Sequence, residues 1–319
     1  MKPLILKNNY GRFMQERAYL LLTAIVLIVM TIATAYIVTM KTPQAEIGVT
    51  PSAATLLRIK PTKNQNVAFK AVTPGKTYNQ DLILGKYDAY VTKKNGHYKV
   101  TTVRSSSLKK QLSTYLNTGV YQNTAKSKES IFKIFLSVLA MSTMILSLIL
   151  YKFYFDDRNG MDKRIYLSGI STLSYICQHF SFNVLVLSGL TLPITVIFLP
   201  LFGITLSLGL LAAIVLVDIF SAAFGLMIST LTEKNQGALI IGTILTVLTL
   251  MISGALFTVK ANTFQDRLQY MFIQHYTADL GKYLDGSGHQ LGLPLAAITA
   301  YTAIFLVIAW IFQKKRSTD

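Results

Sequence analysis

Six long apolar runs constrain this sequence more than any other feature. Each is about 20 residues or longer, which is the length that a helix needs to cross the hydrocarbon core of a bilayer. In order, the runs are Tyr19–Met40, Ile131–Phe155, Phe180–Leu201, Leu206–Leu231, Ala238–Val259 and Leu293–Phe312. Backbone polar groups inside a bilayer must be hydrogen-bonded within the protein, so such runs form helices. With 52% hydrophobic and 14% charged residues, they predict an all-α polytopic membrane protein with six transmembrane helices.

The segments between the runs predict the rest of the organisation. We expect a helix in the membrane interface before the first span, because Leu6, Tyr10, Phe13 and Met14 recur there at helical spacing. The predicted boundaries are 1–18 for this interfacial helix, 19–40 for transmembrane helix 1 and 41–130 for a small extracellular α+β domain. Transmembrane helix 2 follows at 131–155, a charged cytoplasmic helix at 156–175, and transmembrane helices 3–5 at 176–259. The chain continues with an outer amphipathic segment at 260–291, transmembrane helix 6 at 292–313 and a cytoplasmic tail at 314–319.

Basic residues at the two ends of the chain predict its orientation. They are Lys2, Lys7, Arg12, Arg17, Lys314, Lys315 and Arg316. The positive-inside rule then gives a multi-pass protein with both termini in the cytoplasm. The triplet Ala33-Thr34-Ala35 resembles a signal-peptide cleavage site. However, the apolar run continues past it to Met40, which is too long for a signal core, so we expect the span to be retained.

The region between Lys41 and Glu129 carries much of the net charge of +17, because it holds 15 basic and 4 acidic residues. Long loops cross a membrane largely regardless of charge, so an external location remains compatible with this excess. Its aromatic residues do not interleave with its bases as in a nucleic-acid groove. Membrane lipids with anionic headgroups, or wall polymers, are therefore the expected neighbours, and nucleic acid is not.

Local patterns within this region predict an α+β fold. Ala89–Val103 alternates in polarity around Asn95-Gly96, which indicates a β-hairpin with a type I′ turn. Val67–Val72 is a second candidate strand, and Ser106–Leu116 is a candidate helix. Two roles stay open for the domain, a structural cap or the capture of a substrate or partner.

The 156–175 segment, DDRNGMDKRIYLSGISTLSY, is more elaborate than a simple connection between two spans needs to be. Acids and bases alternate at its start, and small residues follow. The candidate partner-contacting residues are Asp156, Asp157, Arg158, Gly160, Arg164, Gly169 and Ser171. We expect a short amphipathic helix at the membrane surface that meets another protein.

Asp218 lies near the centre of the fourth span, where a charge is costly and usually faces a bundle interior or a wet cavity. One interpretation is proton coupling, cation coupling or contact with a polar substrate. The other is a buried carboxyl group that is hydrogen-bonded to a neighbouring helix.

The single cysteine, Cys177, excludes an internal disulfide and a cysteine-rich metal site, and is interpreted as a packing residue.

The 260–291 segment is too polar to span a membrane. Thr263 followed by Asp266 fits a capping box, and Phe264, Leu268 and Met271 then recur at helical spacing. This pattern predicts an amphipathic helix or re-entrant pair on the outer surface.

Signatures of catalysis are missing from the sequence. Gly75-Lys76-Thr77 resembles the end of a phosphate-binding loop, but Lys70 stands where the loop needs glycine. The four histidines show no metal-binding spacing, and no serine lies in a G-x-S-x-G elbow. The chain is therefore predicted not to be an enzyme and to bind no metal or cofactor of its own.

Several short motifs resemble those of one transporter family. They are Asp157-Arg158-Asn159-Gly160 with Arg164 and Gly169-Ile170-Ser171, Phe224–Ser229, Ser253–Phe257, and Tyr270 with His275-Tyr276, where His275 replaces the usual proline. These motifs and the order of elements resemble the permease subunit of type-2 ATP-binding-cassette (ABC) exporters. The resemblance makes the 156–175 segment a coupling helix. It also implies a separate cytoplasmic ATPase subunit that holds ATP and magnesium, a homodimer or paired permease, and a bacterial plasma membrane.

Gly225, Ser229, Ser253 and Gly254 are the small residues that we expect to permit close helix packing. The substrate class implied by the resemblance and by the external domain is a peptide, an antibiotic or another amphiphile. Two other functions stay open. One is a membrane-anchored surface receptor or adhesion protein that acts through its basic outer domain. The other is an ion-coupled secondary transporter that uses Asp218.

Overall fold

The computed structural model divides the chain into two compact units, unit 1 with residues 1–39 and 127–319, and unit 2 with residues 40–126. The structure describes residues 4–39, 45–58, 67–72, 78–84, 87, 89–94, 97–102, 112–113, 116–117, 131–158, 162–256, 259, 262–286, 288 and 290–318. The predicted Asn95-Gly96 turn, Asn159, Gly160 and Phe257 lie outside these ranges.

Unit 1 is helical in its described part. Its helices are α1 (Leu4–Gln15), α2 (Arg17–Thr39), α4 (Ile131–Leu150), α5 (Lys152–Arg158), α6 (Asp162–Leu167), α7 (Thr172–Leu201), α8 (Leu208–Leu231), α9 (Asn235–Ile252), α10 (Phe264–Leu268), α11 (Ile273–Leu284) and α12 (Gly292–Thr318). A 3₁₀ turn, Gln269–Met271, joins α10 to α11. Helix α3 (Tyr78–Ile83) belongs to unit 2.

Six helices in the described part of the chain are long and apolar enough to cross a membrane. They are Arg17–Tyr36, Ile131–Arg158, Thr172–Leu201, Leu208–Leu231, Asn235–Ile252 and Gly292–Arg316. Several hydroxyl groups inside them donate back to their own helix, as Ser137 does to the carbonyl of Lys133 at 2.7 Å, which satisfies these donors within the span. The prediction of six membrane-spanning helices in a mostly helical protein is confirmed.

The second and fourth spans form the centre of unit 1. In an apolar stretch of 18 residues from each of these two spans, 72% of the residues are buried, whereas 28% or less are buried in the corresponding stretches of the other four. Gly225 of α8 faces Ser147 and Tyr151 of the second span so closely that an added Cβ would overlap the Ser147 side chain. Glycine thus allows α8 to pack directly against α4.

The span boundaries differ from the predicted ones at the charged segment. The second span continues through Tyr151 to Arg158, and the third begins at Thr172. The predicted single helix over 156–175 is therefore divided among the last turn of α5, the six-residue α6 and the first turn of α7. The local cause is a turn at Gly169, whose φ of 86° favours glycine, followed by Ser171, which caps the start of α7.

Unit 2 contains a four-stranded sheet with the order β2-β1-β3-β4, in which β1 is parallel to β2 and β3, and β3 is antiparallel to β4. The strands are β1 (Ala45–Val49), β2 (Val67–Ala71), β3 (Ala89–Lys94) and β4 (His97–Thr101), with a 3₁₀ helix over Pro51–Arg58 and α3 over Tyr78–Ile83. The predicted strand at Val67 and the hairpin pairing of Lys94 with His97 are confirmed. Strand β1 was not predicted. Of the candidate helix 106–116, residues 112, 113 and 116 are described, and they are helical.

Candidate functional site

Asp157 lies at the junction of α1, α5 and α7 and is only 1% exposed. Arg12 of α1 donates a hydrogen bond to its Oδ1 atom at 2.7 Å, and Nε2 of His179 on α7 lies 3.3 Å from its Oδ2 atom. A buried carboxylate needs such compensation, because desolvation is costly for an ionised group. The carboxylate predicted to meet another protein is instead enclosed by the chain itself.

Further hydrogen bonds extend this junction along α1. The Asn9 side-chain nitrogen lies 3.1 Å from Nδ1 of His179, and Asn9 is fully buried. Gln178 accepts from the backbone N–H groups of Ile5 and Leu6 at 2.9 and 3.3 Å. These N–H groups belong to the first turn of α1, where the helix itself offers no acceptor. The side chains of α7 therefore hold α1 along its length.

The rim of the junction is partly exposed. Asp156 accepts from Arg12 at 3.2 Å and lies 4.0 Å from Lys152, which forms an ion pair of 2.6 Å with Glu16. The side chain of Asp156 is 36% exposed, so solvent weakens these pairs. Asp156 therefore combines an intramolecular role with some access to the surface.

Arg158 caps the C-terminal end of α8. Its Nη1 atom donates to the backbone carbonyls of Thr232 at 2.7 Å and Ser229 at 3.3 Å. These carbonyls lie at the C-terminus of α8, where a cation satisfies orphan acceptors and complements the helix dipole. The guanidinium carbon also lies 5.2 Å from the centre of the Phe155 ring. Arg158 thus binds the second span to the fourth.

Helix α6 has a packed inner face. Ile165, Tyr166 and Ile170 pack against the core of unit 1. The Gln313 amide of α12 donates to the Tyr166 hydroxyl at 2.9 Å, and the Tyr154 hydroxyl of α5 donates to the Gln313 carbonyl. One glutamine therefore links α6 to the second and sixth spans.

The outer face of α6 and the turn after it are exposed. Arg164, Ser168, Gly169 and Ser171 are exposed, and the side chain of Leu167 is 87% exposed. We call these five residues the α6 outer face. The candidate coupling residues therefore separate into an intramolecular set, Asp156, Asp157 and Arg158, and the α6 outer face.

Asp218 is fully buried in α8. Its Oδ2 atom accepts hydrogen bonds from two hydroxyl groups of α7, Thr191 at 2.6 Å and Ser188 at 3.0 Å. Among the described residues, no group of three or more histidine, cysteine or acidic side chains could hold a metal ion. This arrangement matches the second interpretation, in which the carboxyl group is hydrogen-bonded to a neighbouring helix.

The four predicted packing residues fall into two classes. Gly225 packs on the second span as described above, and Ser229 is fully buried near the end of α8. Ser253 and Gly254 follow α9 and are not within a helix, which corrects their assignment. Ser253 caps α9, and Gly254 has a φ of 68° that few other residues adopt. Cys177 is exposed, so it is not a packing residue.

The segment between α9 and α12 is held to the helix ends by polar contacts. Thr263 caps α10 by accepting from the Asp266 N–H at 3.3 Å, so the predicted cap is confirmed. Gln274 donates to Thr249 of α9 at 2.6 Å, and Nδ1 of His275 lies 3.3 Å from the Ser253 carbonyl oxygen. Phe264 and Met271 are 80% and 65% exposed, respectively.

Sequence reasoning did not find Arg12, Asn9, Gln178, His179 or Gln313. For two of these residues, Asn9 and His179, the sequence alone contains a pattern that indicates burial. Asn9 occupies the same helical stripe as the buried Ile5 and Phe13, and His179 directly precedes the third apolar run. A polar residue in either setting indicates a buried partner. The identity of that partner depends on tertiary contacts.

A comparison with family models matches residues 100–280, more than half of the chain, to the ABC-2 type transporter domain. The curated proteins contain no match to the chain. The matched range includes the second to fifth spans, α6 and the Asp157 and Asp218 sites. With its six apolar helices, the chain is a multi-pass membrane protein with a permease role, and it belongs to the ABC-2 type transporter family.

Proposed function

We propose that this chain is the membrane-spanning subunit of an ATP-driven exporter and that a separate cytoplasmic ATPase subunit binds the α6 outer face. The observation that carries the proposal is the contrast between the two faces of α6. Tyr166 is anchored through Gln313 to the second and sixth spans, while Leu167 is 87% exposed. A helix built in this way can transmit force from a partner into the spans.

The chain needs such a partner because its sequence contains no phosphate-binding loop. In the proposal, ATP and magnesium belong to the partner, and this chain hydrolyses no ATP. Two permease copies, or two related permeases, form the path. Closure of two ATPase subunits then shifts the α6 outer faces, and the packed second and fourth spans move as rigid bodies.

The internal contacts of the Asp157 junction have a mechanical role in this scheme. Arg12 joins α1 to α5, and Arg158 joins α5 to α8. Displacement of α6 is therefore transmitted to α1, α5 and α8 together. Buried charge networks are costly to break, so they act as stiff links.

The proposed orientation puts both termini and α6 in the cytoplasm of a bacterial cell, with the plasma membrane as the site of action. Unit 2 and the α10–α11 segment would then face outward. The basic ends of the chain support this orientation. A peptide, an antibiotic or another amphiphile is the proposed cargo, since the outer unit is basic and the spans are apolar.

The test changes the α6 outer face. Arg164→Glu and Leu167→Asp should each abolish co-purification of the ATPase subunit and ATP-dependent export, while the amount of folded protein in the membrane stays unchanged. Leu208→Asp is the matched control, because Leu208 is 86% exposed at the start of α8, at the opposite end of that helix from the Arg158 contact. Unchanged co-purification and export in both α6 variants would contradict the proposal.

A further inference from the structure

An open groove of about 570 Å³ lies between α1, the start of α2 and the middle of α7. Its volume falls in the range of small-molecule sites, roughly 300–1,000 Å³. Leu6, Tyr10 and Met14 of α1 line one side, and Leu185 and Gly189 of α7 line the other. All four residues of the predicted apolar face of the interfacial helix thus line this groove, and Phe13 is the one among them that is buried.

The groove suits an alkyl chain in its shape and surroundings. Along α7 it extends from Phe182 to Leu190, which is about 12 Å at 1.5 Å per residue. Helix α1 is too short to span a membrane and directly precedes the first span, so it lies near the bilayer surface. The groove therefore begins beside a surface helix and continues along a membrane-spanning helix. A lipid has the same layout, with its headgroup at the surface and its acyl chains in the bilayer.

Charge defines which lipid would fit. Of the lining residues that the structure describes, Lys7 is the charged one, and its side chain is exposed. Among the described residues, no carboxylate lies within ion-pair distance of it. An ammonium group that lines an apolar groove is complementary to an amphiphile with an anionic headgroup.

Gly189 keeps the floor of the groove open. A Cβ atom added at this position would meet no other atom within 4 Å. No close helix contact requires glycine there, in contrast to Gly225. A large side chain at this position would project into free space and fill the groove without displacing the backbone.

We propose that this groove binds one acyl chain of an anionic phospholipid, whose phosphate pairs with Lys7. The site is separate from the α6 outer face, so its occupancy does not depend on whether an ATPase subunit binds there. Bound lipid would hold α1 against α7 alongside the hydrogen bonds of Gln178.

The test uses the full chain in nanodiscs that contain a small fraction of phosphatidylglycerol with a photoactivatable diazirine on one acyl chain. Adducts should concentrate in 4–20 and 182–190, several-fold more than with the same probe on phosphatidylcholine. Lys7→Gln should remove this headgroup preference, whereas Lys234→Gln, a change at another exposed lysine, should preserve it. Equal labelling by the two lipids in the unmodified protein would mean that only bulk lipid lies there, which would overturn the proposal.

A second variant tests the groove itself. Gly189→Phe should lower labelling of both segments several-fold. Gly237→Phe should not, although Gly237 is also a helical glycine with open space around it. If Gly189→Phe fails to fold, Leu185→Trp replaces it as the filling variant. Unchanged labelling in the folded filling variant would contradict the proposal. So would a disulfide between two copies of a Gly189→Cys variant in a Cys177→Ser background, since a second protein chain would then cover the groove.

Discussion

The guanidinium of Arg12 donates a hydrogen bond across 2.7 Å to the carboxylate of Asp157, and this contact joins the surface helix α1 to the end of the second span. Asp157 is buried, while the side chain of Arg12 is 26% exposed. The pair therefore combines a desolvated acid with a base that solvent can still reach.

Loss of Arg12 should destabilise the protein more than loss of the exposed pair beside it. Arg12→Gln leaves the Asp157 carboxylate buried without its cation, so we expect a loss of about 3 kcal/mol, the lower end of the range for buried pairs. Lys152→Gln, which breaks a partly exposed pair with Glu16, should cost about 1 kcal/mol or less. Unfolding titrations in mixed micelles measure both. Equal losses would show that Asp157 is not buried as described.

Asp218→Asn should leave export intact. The asparagine carbonyl can accept the same hydrogen bonds from Ser188 and Thr191 that the Oδ2 atom accepts, and hydroxyl donors do not require a charged acceptor. The measurement is ATP-dependent export from vesicles, with the amount of folded protein as the control. Loss of export in well-folded Asp218→Asn protein would favour an ion-coupled transporter instead.

Gly281 should tolerate no side chain. An added Cβ would lie 2.5 Å from the backbone of Phe132 and Lys133, so α11 would have to move away from α4. We expect Gly281→Ala to cost about 1–3 kcal/mol, as overpacking typically does. Gly237→Ala is the control, because its Cβ meets nothing within 4 Å. Thermal unfolding in detergent compares the two variants, and equal melting temperatures would contradict the close crossing.

Asp279 of α11 makes stability depend on pH in the acid range. Burial by itself raises its pKa, but hydrogen bonds and positive charge from His275 and Lys282 outweigh burial and lower the pKa to about 2. A carboxyl group with a lowered pKa stabilises the folded state above its unfolded pKa, and this stabilisation is lost as pH falls towards the folded value. The melting temperature of Asp279→Asn should therefore lie below that of the unmodified protein at pH 5, and the difference should shrink between about pH 4 and pH 2. A difference in melting temperature that grows as the pH falls would contradict the predicted direction of the pH dependence.

The sequence predicts the spans better than it predicts the site, and the reason is physical. Apolar length is a local property, so the six spans could be recognised from the chain alone. The fate of Asp157 depends on Arg12 and His179, which are distant in sequence and meet it only in the folded protein. The sequence alone therefore predicts partner-contacting residues along the whole charged stretch at the end of this span. Among the described residues of this stretch, the α6 outer face remains accessible, and Asp156 does so in part.

The helix ends show the same limit. Gly254 lies in a small-residue motif that suggested helix packing, but its φ of 68° places it in the turn after α9. Likewise, Tyr10 and Met14 follow the helical spacing of an apolar face, yet they line an open groove. Spacing identifies a face of a helix, while tertiary structure determines what that face contacts.

The central claim, that a separate ATPase subunit binds the α6 outer face, is tested most directly by site-specific cross-linking in cells. A photoreactive amino acid replaces Leu167 in one strain and Leu208 in another, two positions with nearly equal exposure. The account predicts that illumination joins position 167, and not position 208, to a cytoplasmic ATP-binding subunit. Absence of that adduct at position 167, or its formation at position 208, would contradict it.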